Sequence, residues 1–160
     1  MRDKARRQRI KEGVEQAQAE AAQQFDAERA ARYRGFKLEG ILEAPLGICI
    51  TCDRRRTGPV VIGRTANPEM DRDSSVCAVQ NLWLAARAEN LGVGWVSTIH
   101  HDALRAALQI PAAITPIAHL WVGYVSGFHS TPEREQADWL PRLPLEQAVH
   151  QGCWQAKSAV

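Results

Sequence analysis

The sequence predicts an α+β domain organised around one long helix, and three stretches carry that prediction. Residues 71–99, DRDSSVCAVQNLWLAARAENLGVGWVSTI, read as a capped apolar helix that stops at a double-glycine turn and passes into a strand. Residues 46–53 alternate in side-chain character as a strand does, behind Pro45 and Gly47, which break any helix. Residues 114–125, ITPIAHLWVGYV, form an apolar strand.

At 160 residues the chain falls within the size of one domain and is long enough to bury a core. A hydrophobic fraction of 45% and a charged fraction of 24% are ordinary for a globular protein, and a net charge of +2 is too small to argue for a nucleic-acid partner. The basic N-terminus is followed by no signal-peptide core, and no run reaches the length of a membrane span, so a cytoplasmic protein is expected. Cys49, Cys52, Cys77 and Cys153 do not suggest a disulfide framework. Cys49 and Cys52 make a C-x-x-C, but GICITC alternates like a buried strand and no second ligand pair follows, so no metal site is expected.

From Arg2 to about Tyr33 the residues are good helix formers with a thin apolar stripe at Ile10, Val14, Ala17 and Ala21, as in an outer amphipathic helix. Arg6, Arg7 and Arg9 read as a solvated face of it. Residues 54–67 are a basic loop of the kind that walls a site. In the long helix, Ser74 or Ser75 is placed to cap the first turn, with Asp71 and Asp73 at the positive end of the dipole. Val76, Val79 and Trp83 make one apolar stripe and Cys77, Leu84 and Leu91 another, so burial on several sides is expected, with Gln80 and Asn81 as paired buried amides. Gly92 reads as the helix stop, Gly94 as a turn or close approach, and Trp95 to Thr98 as the strand. Asp102 is placed to cap a short helix that Pro111 ends. His100 and His101 read as surface or capping residues, and His119 as a hydrogen-bonded core residue. Through Trp139, Arg142 and Pro144 the tail ends in a short helix and carries too much tryptophan to be free in solvent.

Residues 69–71, 75–89 and 92–97, together with Lys37-Leu38-Glu39-Gly40-Ile41, residues 43–47, Gly123-Tyr124-Val125, Trp139 and residues 142–145, resemble the 5,6-dimethylbenzimidazole synthase branch of the flavin-dependent nitroreductase superfamily. The resemblance covers nearly the whole chain. It implies a nitroreductase-like α+β fold, with a central mixed or antiparallel sheet, flanking helices and a buried dimer-core helix. It also implies a homodimer with FMN at the subunit interface, where reduced FMN is the substrate, fragmented with molecular oxygen into 5,6-dimethylbenzimidazole, the lower ligand of vitamin B12, and erythrose 4-phosphate. A separate reductase would supply the reduced flavin; neither nucleic acid nor membrane is implied as a partner.

By the same resemblance, Val93, Gly94 and Trp95 border the flavin, Ser97 is the catalytic hydroxyl beside it, and Arg142 is a phosphate-side contact. The family's Arg-Arg-Asp-x-Arg segment is not matched by Arg6-Arg7-Gln8-Arg9, so residues 1–160 are expected to form a single domain that starts after that segment. Such a form is expected to hold FMN poorly and to make little or no product. Asp73 stands where the family usually has an aromatic residue. A general FMN-dependent NAD(P)H nitroreductase and a non-catalytic dimerisation remnant are the alternatives.

Overall fold

A computed structural model describes residues 1–36, 38 and 40–154. Lys37 and Glu39, which belong to one of the resembling stretches, lie outside the described residues. The chain divides into two compact units, Met1–Ser126 and Gly127–Val160.

In the first unit the order is α1 (Lys4–Ala22), α2 (Ala27–Gly35), β1 (Leu46–Cys52), α3 (Met70–Ala88), β2 (Leu91–Trp95), α4 (His101–Leu108) and β3 (Thr115–Tyr124). The strands form an antiparallel sheet in the order β1-β3-β2, which leaves β1 and β2 at its edges. In this register Ile48, Leu120 and Trp95 share one face, while Cys49 and His119, and Trp121 between Gly47 and Gly94, share the other.

The first face carries α3. Val79, Ala118 and Leu120 are buried there, with Ile48, Ile50, Leu82, Val93 and Trp95 packed around them. The other face carries α1 and α4, through Ile10, Val14, Leu104, Ala107 and Trp121. α1 is therefore an amphipathic helix lying against the sheet and α4, as its stripe implies. Its thin stripe is enough because Ile10 and Val14 are 0% and 1% exposed, and because Gly13 lets Ala103 of α4 approach, its Cβ position lying 3.2 Å from the Ala103 Cβ.

The single helix expected to Tyr33 is two. Asp26 accepts from the backbone N of Arg29 at 2.8 Å and so starts α2 as an N-cap. Asp3 does the same for α1 through Arg6 N at 3.0 Å.

Arg7 corrects the reading of a solvated cluster. Its side chain is buried and donates to the carbonyls of Met1, Leu42, Ala44 and Pro45, with its guanidinium 5.2 Å from the centre of the Trp121 ring. A planar fork with five donors can serve several carbonyls at once, which is why arginine is tolerated at this depth.

α3 begins earlier than expected, at Met70, and neither serine caps it; the Ser75 hydroxyl donates to the Asp71 carbonyl at 2.8 Å instead. Asp71 and Asp73 do lie in its first turn. Within this chain the helix is buried along one stripe, through Val79 and Ala86, while Val76, Trp83 and Leu84 are exposed, as are Gln80 and Asn81. α4 is likewise not capped by Asp102: His100 is the N-cap residue and makes no side-chain cap bond.

The second unit, Gly127–Val160, contains two single-turn helices, α5 (Glu133–Gln136) and α6 (Leu145–Ala148). In the segment between them Arg142 is exposed and Trp139 half-buried. Among the described residues no helix is long and apolar enough to cross a membrane.

Candidate functional site

The helix-to-strand connection differs from its expected form. The left-handed residue is Asn90, at φ 58°, and both Gly92 and Gly94 lie inside β2. Asparagine tolerates that conformation, so the chain does not need a glycine to stop α3. Gly92 serves packing instead. A Cβ on Gly92 would collide with Val125, whereas one on Gly94 would meet nothing within 4 Å. Gly94 thus leaves open space beside an edge strand, whose outward N–H and C=O groups belong to its neighbours Val93 and Trp95.

The predicted site residues fall into two recesses along β2. Val93 and Gly94 line a cavity of about 550 Å³ that Pro45, Trp121 and Tyr124 also border. Trp95 and Ser97 line a smaller cavity of about 100 Å³, with His119 and Leu104. Beside it, Trp95, His101, Asp73 and Arg72 line a recess of about 300 Å³ where the start of α3 meets the start of β3. Arg142 lies in the other unit, and its position relative to these residues is not described. Trp95 is held by Trp83 of α3, ring centroids 6.3 Å apart at 60°, so α3 fixes the indole that walls the second and third recesses.

Three charges organise the start of α3. Arg64 and Arg54 converge on Asp71, at 2.9 and 3.3 Å, and pin the basic loop to the helix. The Arg64 hydrogen bond, with a further one from Arg54, holds the Asp71 carboxyl below the usual range. Arg55 is paired with Asp53 at 3.0 Å and Arg72 with Glu69 at 2.8 Å. Much of this basic loop's charge is therefore neutralised within the chain.

Two residues have roles that the sequence did not indicate. Arg7 braces the carbonyls of Ala44 and Pro45, part of the wall of the recess of about 550 Å³. His119 is buried, and burial with a lesser effect of the charged Met1 amine pushes its pKa down to about 4. Neither ring nitrogen has a hydrogen-bond partner among the described residues, contrary to the bonded core histidine expected. The apolar alternation around His119 gave the burial, but no local pattern reveals a missing partner. Cys49 and Cys52 are both free thiols on β1; burial pushes the Cys49 thiol up. Among the described residues no group of three or more His, Cys, Asp or Glu side chains could hold a metal.

The Nitroreductase family model matches residues 2–124. The chain belongs to the nitroreductase family. It is 39% identical over 142 residues to a Rhodospirillum rubrum protein named 5,6-dimethylbenzimidazole synthase, covering 89% of this chain and 67% of that relative. To a Rhodobacter capsulatus protein of the same name it is 35% identical over 130 residues, covering 81% of this chain and 63% of the relative. The chain thus spans about two thirds of the length of these relatives. Among solved structures it is similar to Bacillus megaterium NfrA2, with a TM-score of 0.63 at 18% identity, covering 97% of this chain and 56% of the other. It is also similar to nitroreductase A of Vibrio parahaemolyticus, with a TM-score of 0.56 at 18% identity, covering 87% and 56%. At such identities these likenesses establish the nitroreductase fold.

Proposed function

We propose that this nitroreductase-family chain is the core of a 5,6-dimethylbenzimidazole synthase acting on reduced FMN and molecular oxygen. The observation that carries the reading is the 39% identity to the R. rubrum synthase across 89% of the chain, which includes the stretch from Gly92 to Ser97. The residues present suit one side of a flavin. Gly94 leaves open space on an edge strand, which lets a flat ring approach the chain closely. Trp95 is a braced aromatic wall, and Ser97 is an exposed hydroxyl two residues further on.

FMN, when bound reduced, would supply both the electrons that dioxygen takes up and the dimethylated ring that becomes the benzimidazole. The work left to this chain is binding and orientation. Backbone at Gly94 approaches the ring edge, Trp95 excludes water from its face, and Ser97 supplies a hydroxyl beside the reacting part. Arg142 is proposed as a phosphate-side contact, for which its guanidinium fork is suited. Residues 1–160 are proposed to act as a single domain in a homodimer, with reduced flavin delivered by a separate reductase.

The test is incubation of the purified protein with reduced FMN in air, followed by chromatographic detection of 5,6-dimethylbenzimidazole. Product formation that is lost in Ser97→Ala supports the reading. Steady NAD(P)H oxidation with a nitroaromatic acceptor, without loss of flavin, would identify a general FMN-dependent oxidoreductase instead.

A further inference from the structure

The cavity of about 100 Å³ lined by Ser97 is also lined by a residue whose polar ring atoms packing does not satisfy. His119 lies on its wall, 1% exposed, against Trp121 at 4.6 Å between ring centroids and with Cys49 as its register partner on β1. Its backbone is committed, the carbonyl accepting from Val96 N at 3.0 Å. The ring is not: Nδ1 and Nε2 both lack partners among the described residues. A neutral imidazole carries one N–H donor and one lone pair, and leaving a buried polar group unmet costs about 1–3 kcal/mol.

The cavity holds little else that could answer that demand. Ser97 and His101 are exposed and bring a hydroxyl and a second imidazole, half-buried Trp95 brings an indole N–H that donates only, and Val96, Ile99, Leu104 and Ile117 are apolar. A ligand there must be small and must both donate and accept a hydrogen bond. Water meets both conditions, and on this measure of volume one molecule needs only about 10–15 Å³.

We propose that this cavity is a hydration site in which a short chain of ordered water connects the buried His119 ring to the Ser97 hydroxyl. His119 is then a positioning residue: through the water it fixes the direction of the Ser97 O–H. Hydration of the cavity stands independently, whereas its consequence for catalysis rests on the flavin-side role of Ser97 proposed above.

Nuclear magnetic resonance of the isotopically labelled 160-residue chain tests this without flavin. The expected result is magnetisation transfer from water to the His119 ring protons, one dominant ring tautomer, and a shift of the His119 nitrogen resonances in Ser97→Ala. Dissolved xenon, which enters dry apolar cavities, should leave the Ile99 and Leu104 methyl signals unmoved. In His119→Leu the water contacts should vanish and xenon shifts should appear; the wild-type spectra decide the question if that variant does not fold. Xenon shifts in the wild-type chain with no water contact at His119 would overturn the proposal, and unchanged His119 nitrogens in Ser97→Ala would break the link to the serine. Adding FMN to the same sample and following Trp95 and Ser97 tests the flavin reading separately.

Discussion

Trp121 of β3 lies directly over Gly47 of β1, its cross-strand partner, so that a Cβ on that glycine would come within 2.5 Å of the indole Cζ3. The same indole leaves Gly94, its partner on the other flank, open. One tryptophan thus makes one neighbouring glycine structural and leaves the other free to face a ligand. Gly47→Ala is expected to destabilise the chain by about 1–3 kcal/mol, the usual cost of overpacking. Gly94→Ala should leave the urea midpoint within error of wild type while weakening FMN binding. Equal midpoints for the two variants would remove the distinction.

Arg7 is a buried cation answered by backbone carbonyls, with no carboxylate among the partners described for it. Removing it strands acceptors that hold the turn before β1. Arg7→Met is expected to lower stability by about 3 kcal/mol, and Arg7→Lys to recover less than half, because a point charge cannot span four carbonyls. Urea denaturation checks both. Were the cluster merely a solvated face, neither variant would move the midpoint.

These two residues also mark where the sequence was legible. The 46–52 and 114–125 alternations and the 70–88 helix came through because each is a local periodicity that survives folding. Arg7 did not, since an arginine on an amphipathic helix looks solvated until the carbonyls of residues 42–45 are brought to it. The glycine pair was read as a turn for a related reason. Asn90 took the left-handed conformation, and what demands Gly92 is Val125, more than thirty positions away in sequence. Val93, Gly94, Trp95 and Ser97 were named by resemblance and lie on or just after β2, but their division between separate recesses depends on what packs beside each position along the strand.

His119 gives a pH dependence of defined sign. The ring titrates at an ordinary 6.5 when unfolded and at about 4 when folded. Between those values the unfolded chain carries the extra proton, so stability is complete above the upper value and falls as the pH drops through the window. The loss approaches about 3 kcal/mol at the lower end. In His119→Gln this component should vanish. Urea midpoints at about pH 7 and about pH 4 measure it, and identical pH slopes in the two proteins would show that His119 does not titrate as described.

Asp71 acts lower on the scale. Its carboxyl is held below the ordinary 3.8, first by the Arg64 hydrogen bond and further by Arg54. The stability this gives is present above the unfolded value and is lost as the pH falls through the lower, folded one. Asp71→Asn should therefore be less stable than wild type at neutral pH and approach it in acid. Protease cleavage within residues 54–67 should rise in parallel, because Asp71 is what ties that loop to α3.

The exposed side of α3 supports the last prediction. Its sheet-facing stripe is satisfied through Val79 and Ala86, yet Val76, Trp83 and Leu84 remain 42%, 36% and 60% exposed on the same helix. Burying apolar surface is worth about 25 cal/mol per Å², so a second copy of this helix is a chemically suitable cover. The proposed homodimer would use this face. Placing a charge there should oppose association without disturbing the sheet-facing stripe, and Leu84→Arg is the substitution that does so. Sedimentation equilibrium is expected to give a dimer for wild type and a monomer for Leu84→Arg, with circular dichroism unchanged between them. A wild-type monomer, or a dimer that persists in Leu84→Arg, would place the interface elsewhere. The distinction bears on the flavin site too: if the partner's α3 completes the recess beside Trp95, Leu84→Arg should weaken FMN binding although residue 84 lines none of the recesses described along β2.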